Sequence, residues 1–151
     1  MSLKNILSLS VLSLFIGQAV VIAAPSKYSV YASQGIGVSS TSNSSIGGKI
    51  LVNSSNTADI NIRPELTIKD SIVGVGISVT TDKHFGDTTV YSGFGAGTNL
   101  IAKDVVKPYA IIGLEHQLNS SYYLFGQAKL PLESVNNSYS PIINIGAGFN
   151  I

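Results

Sequence analysis

The chain has 151 residues, 9 Lys and Arg against 8 Asp and Glu, no Cys and no Trp, and only 11% of it is charged. That excludes a disulfide framework, a thiolate metal site and a catalytic thiol. Near-neutral charge without a basic block excludes a nucleic-acid partner, and 44% hydrophobic residues exclude intrinsic disorder. One domain fits this length.

Residues 1–23 read as a secretory signal peptide. Lys4 gives the positive start, residues 6–16 form an apolar run diluted by Ser, and small residues gather at Ala19, Ala23 and Ala24. Pro25 disfavours a cut directly before it, so cleavage is expected after Ala23, with Ala19 as the alternative. The remaining span, 24–151, is then the mature domain.

From Lys27 onward the sequence alternates with period two, the signature of strands with two different faces. Eight strands are expected, over 28–38, 46–53, 58–69, 72–80, 90–100, 106–117, 122–133 and 143–151. The third is the cleanest. Ala58, Ile60, Ile62, Pro64, Leu66 and Ile68 share one face, and Asp59, Asn61, Arg63, Glu65, Thr67 and Lys69 share the other. Turn-rich stretches separate the strands at 39–45, 54–57, 70–71, 81–87, 102–104, 119–120 and 134–140. Strands this long exceed the five or six residues usual in soluble proteins and suit tilted membrane-crossing strands.

Alternation alone does not say which face is inside. A soluble ligand-binding barrel would put its apolar face inward, and a transmembrane barrel reverses this. The low charge content favours the second, because a soluble barrel needs a charged exterior. So does glycine on the polar face (Gly35, Gly37, Gly74, Gly76, Gly93, Gly95, Gly97, Gly146 and Gly148), which leaves room for long side chains in a narrow lumen. Tyr28, Tyr122 and Phe149 fall near strand ends at one rim and form an expected interfacial girdle. The expected fold is therefore an all-β, eight-stranded, antiparallel up-and-down transmembrane barrel. Its charged residues Lys49, Asp59, Arg63, Glu65, Lys69, Lys107, Glu115, Lys129 and Glu133 all point inward, where they form an ion-pair network across the lumen.

The signal segment, the Tyr91-Ser92-Gly93-Phe94-Gly95-Ala96-Gly97 strand, Lys107-Pro108-Tyr109, Gly113-Leu114-Glu115, the 122–129 strand and the closing 143–151 strand resemble small bacterial outer-membrane barrels. The likeness is to the opacity-protein and outer-membrane-protein-A transmembrane-domain type. The resemblance implies a Gram-negative outer membrane, contact with membrane lipid, and delivery to the barrel-insertion machinery. That machinery reads the terminal strand, here Phe149 and Ile151. Surface or host contact would run through the short loops at 39–45, 70–71, 102–104 and 134–140.

Some such barrels are enzymes acting on lipid A. The histidines do not support that here: His84 falls in the 81–87 turn and His116 on the lipid face, turned away from Glu115. No metal constellation and no cofactor motif is present, and the Gly93-x-Gly95-x-Gly97 run lacks the helix a dinucleotide site requires. The expectation is a non-catalytic surface or structural barrel. A narrow pore, a lipid-A-modifying enzyme and a soluble periplasmic barrel are the alternatives.

Overall fold

The computed structural model describes residues 27–36, 43–69, 72–99, 106–133 and 141–151. The signal segment with its cleavage sites lies outside the described residues, as do Val38, Leu100 and most of the expected loop residues at 39–42, 70–71, 102–104 and 134–140.

Eight strands follow in chain order: β1 (Tyr28–Ile36), β2 (Asn43–Ser54), β3 (Asp59–Lys69), β4 (Ile72–Phe85), β5 (Thr88–Asn99), β6 (Lys107–Gln117), β7 (Tyr122–Pro131) and β8 (Ile142–Asn150). Each pairs antiparallel with the next, and β1 pairs with β8, so the sheet closes into a barrel. Closure leaves the sheet with no edge strand, as a barrel in hydrocarbon requires.

The rim where β1 begins and β8 ends, the terminal rim, carries short turns. A two-residue hairpin joins β4 to β5 through Gly86 and Asp87, with Gly86 at φ 63°. That left-handed conformation suits glycine and matches the twist of the flanking strands. Asn119 organises the β6–β7 turn by accepting the amide hydrogens of Ser121 and Tyr122 at its Oδ1, at 2.8 and 2.9 Å.

Several strand boundaries differ from the sequence expectation; β5 begins at Thr88 and β7 ends at Pro131. Asn43 to Ser45, expected in a turn, begin β2 and pair with Lys69, Ile68 and Thr67. Residues 81–85, also expected as turn, continue β4 to Phe85. Their side chains are too polar to show an apolar period, but the ladder to β5 holds through Phe85 and Thr88. At the end of β2, Leu51 faces Asn61 while Asn53 faces Ile60, so Val52 is the extra residue of a bulge and the alternation shifts by one beyond it.

The two faces differ in the opposite sense to a soluble protein. Ile46, Leu66, Ile77, Val79, Phe94, Ile112 and Ile145 are exposed on the outer wall. The buried set is mostly polar, and includes Asp59, Asn61, Arg63, Glu65, Asp82, Glu115, Gln127 and Asn144. On β3 the outward row runs from Ala58 to Ile68, ten steps. At about 3.3 Å per residue and a tilt of about 40° it stands about 25 Å tall.

Lys83 departs from the charge segregation expected from sequence. With β4 extended, it lies on the outer face beside Val90, close to the terminal rim and exposed. A lysine at that level carries its ammonium past the strand end on its flexible stem.

Candidate functional site: the charged lumen

The lumen is built first by aromatic rings laid over glycines. Tyr31 sits directly opposite Gly47, Tyr91 opposite Gly113, Tyr109 opposite Gly95, Phe125 opposite Gly146 and Tyr123 opposite Gly148. A Cβ at Gly113 would stand 2.2 Å from Tyr91 Cζ, and one at Gly148 would stand 2.1 Å from Tyr123 Cζ. Each glycine is thus the floor on which a neighbour's ring lies flat enough to stay inside a narrow barrel. Tyr31 and Phe125 then meet edge to face, their centroids 5.2 Å apart.

Within this aromatic frame lies a set of buried charges. Arg63 is at the centre. Its Nη1 donates to Glu115 Oε1 at 2.7 Å, its Nη2 to Asp82 Oδ2 at 2.7 Å, and its Nε to Thr80 Oγ1 at 3.0 Å. The guanidinium also lies 3.9 Å from the Tyr91 ring centroid. Lys49 Nζ reaches the other oxygen of Glu115 at 2.6 Å and stands over the Tyr123 ring. Thr80 in turn donates to Asp82 Oδ1. Two cations and two carboxylates, drawn from β2, β3, β4 and β6, therefore join opposite walls. Charges this well buried persist only when each is paired and hydrogen-bonded, and here each of the four has such partners.

A second pair lies nearer the far rim, the end opposite the terminal rim. Lys129 donates to Glu65, which also accepts from Thr67 and from the Tyr31 hydroxyl. Beside it, Tyr91 donates to Gln127 Oε1 at 3.0 Å. At the terminal rim His84 Nε2 contacts Asp59 Oδ2 at 2.6 Å, and its Nδ1 contacts Thr89 Oγ1 at 2.8 Å.

The sequence-derived network divides accordingly. Lys49, Arg63, Glu115, Lys129 and Glu65 are in ion pairs, and Asp59 contacts the His84 ring. Lys69, Lys107 and Glu133 form no ion pair among the described residues. Lys69 closes β3 at the far rim, Lys107 opens β6 there, and Glu133 lies two residues past β7.

Asp82 was not anticipated, because it falls in the stretch expected as turn. Its place on the inward row of β4, two residues after Thr80, is the signal that an extended strand would have given. His84 likewise belongs to β4 and points inward, not into a loop.

Of the rim aromatics, Tyr122 and Phe149 pack with ring centroids 5.1 Å apart, and Tyr28 is exposed with Lys27 over its ring. Ile151 donates its amide to the Tyr28 carbonyl, which ties the last residue into the closing seam. His116 is on the outer face, 3.1 Å from Thr88 Oγ1. Asp59, His84 and Thr89 have the connectivity of an acid, base and hydroxyl. The His84–Thr89 contact, however, follows directly from their being cross-strand partners at a hairpin end. The far-rim cavity described below includes none of the three. Among the described residues no group of three or more His, Cys, Asp or Glu could hold a metal ion.

No protein-family model matches the chain, and no curated protein matches it in sequence. Its likeness is to solved structures. One, described as a de novo design of transmembrane β-barrels, superposes with a TM-score of 0.69 at 15% identity, covering 87% of this chain and 100% of that one. Another, the solution structure of the de novo designed TMB2.3, gives 0.64 at 16% identity, covering 85% and 96%. At these identities the likeness establishes the fold alone: an eight-stranded antiparallel barrel of the transmembrane kind.

Proposed function

We propose that the protein is a small Gram-negative outer-membrane barrel of the opacity or outer-membrane-protein-A type, with a structural or surface-contact role and no catalytic activity. The observation that carries this reading is the segregation of its side chains. Ile, Leu and Val face outward over a height that fits the apolar band of such barrels, about 25 Å. The ionised groups of the strand interiors face a lumen crossed by the Arg63, Glu115, Asp82 and Lys49 cluster.

The short turns at the terminal rim support a periplasmic placement of that end, with the girdle of Tyr28, Tyr122 and Phe149 at its interface. Phe149 and Ile151 on the closing strand are then the residues offered to the barrel-insertion machinery. Contacts with a host or surface ligand would use the connections at the far rim. The signal segment 1–23 supplies the export route, with removal after Ala23 or Ala19. Neither cofactor nor metal enters this reading.

The test is to express the full chain with its own leader in a Gram-negative host, fractionate the membranes, and run the outer-membrane fraction on SDS gels with and without boiling. A folded barrel found there will change mobility on heating and give no steady conductance in planar bilayers. Recovery in the soluble periplasm, or steady ohmic conductance from the intact protein, would overturn the proposal.

A further inference from the structure

The lumen is filled unevenly along its length. In the middle and terminal part of the lumen the rings of Tyr31, Tyr91, Tyr123 and Phe125 lie over Gly47, Gly113, Gly148 and Gly146. Toward the far rim Gly74 and Gly97 face one another's strands with no ring over them. A Cβ at Gly74 would meet backbone oxygens, at 3.0 and 3.9 Å, and one at Gly97 would meet Val75 O at 3.2 Å, with the edge of Tyr109 only at 3.7 Å. The space left is a cavity of about 300 Å³, at the lower limit for sites that hold small molecules. Tyr109 and the Glu65–Lys129 pair lie on its wall between it and the buried ion cluster.

Its chemistry is that of a two-part ligand. Ile72, Tyr109, Pro131 and Ile142, each on an inward row, make much of the wall apolar. Three lysines, Lys69, Lys107 and Lys129, also line it, against one carboxylate, Glu65, already held by Lys129. Lys69 and Lys107 have no hydrogen-bond or ion-pair partner among the described residues. Two ammonium groups that line one cavity without an ion-pair partner among the described residues favour an anion there.

We propose that the far-rim cavity binds a small amphipathic anion, a carboxylate or phosphate on a short alkyl chain. The headgroup lies with Lys69 and Lys107, and the chain lies against Ile72, Pro131 and Ile142. A neutral molecule of the same shape gains only the apolar contact, and a bare inorganic anion only the charge contact. Both parts are needed for tight binding.

The experiment uses the full barrel in phosphatidylcholine nanodiscs, with octanoate, octanol and inorganic phosphate as separate probes. Backbone amide shifts of Gly74, Gly76, Gly97 and Lys107 are followed by NMR. Octanoate should shift these amides saturably, more tightly than octanol or phosphate. The double variant Lys69→Gln/Lys107→Gln should weaken it by about tenfold or more through loss of charge-assisted contacts. Lys27→Gln at the opposite rim should leave the affinity unchanged. In phosphatidylglycerol nanodiscs without octanoate, the same shifts would identify the anion as a lipid headgroup, and their absence would identify it as a free acid. The proposal fails if octanol binds as well as octanoate, or if the double variant retains full affinity while its spectrum shows a folded barrel. It also fails if the shifts map only to outward residues such as Leu66 and Ile77.

Discussion

Arg63 and Glu115, 52 residues apart in sequence, meet inside the barrel with Nη1 2.7 Å from Oε1. Both side chains are almost wholly removed from solvent, and the contact ties the β3 wall to β6 across the lumen. Removing Arg63 leaves Asp82 buried without a cation and Glu115 with Lys49 alone. Arg63→Met should therefore destabilise the folded barrel by about 3–5 kcal/mol, read from urea unfolding in lipid vesicles. The double variant Arg63→Met/Asp82→Asn, which leaves the Lys49–Glu115 pair in place, should recover most of that loss. Lys69→Gln, at the far rim, should change stability by no more than about 0.5 kcal/mol.

The ring-over-glycine pairs predict a coupling that charge does not. Gly113→Ala puts a methyl group where the Tyr91 ring lies, and overpacking of this kind costs about 1–3 kcal/mol. In a Tyr91→Ala background the same substitution should cost much less. A double-mutant cycle measured by equilibrium unfolding checks this, with a coupling of about 1 kcal/mol or more expected for residues in direct contact.

Depth along the outer wall sets the cost of an outward charge. Ile77 lies on the outer face in the middle of β4, and Val90 lies beside Lys83 close to the terminal rim. Ile77→Arg should cost about 2–4 kcal/mol in a bilayer, and Val90→Arg about 0–1 kcal/mol. Equal costs at the two positions, measured by refolding into vesicles, would show that no hydrocarbon surrounds this wall.

Much of the barrel was legible because β3 alternates without error from Ala58 to Lys69, and a two-sided strand of that length has few homes. The inward direction of Lys49, Arg63, Glu65, Glu115 and Lys129 followed from the same parity. Parity does not say who pairs with whom. That depends on register and shear, so Arg63 reaching β4 and β6 at once was not readable, nor was it readable that Lys69, Lys107 and Glu133 form no ion pair among the described residues. Asp82 and His84 were missed because Thr81, Asp82 and Lys83 present no apolar face, and hydrophobic period is the signal that marks a strand. The bulge at Val52 was invisible for a related reason: beyond it the polar residues Asn53 and Ser54 tolerate either face.

The account rests on which face meets hydrocarbon, and the absence of cysteine from the sequence makes that directly measurable. Single cysteines at positions 66, 68 and 77 on the outer row, and at 67 and 76 on the inner row, would carry a small fluorophore. The protein would then be refolded into bilayers containing brominated lipid. Strong quenching at Leu66, Ile68 and Ile77, with little at Thr67 and Gly76, is the predicted result. Equal quenching on both rows, or stronger quenching at 67 and 76, would contradict it.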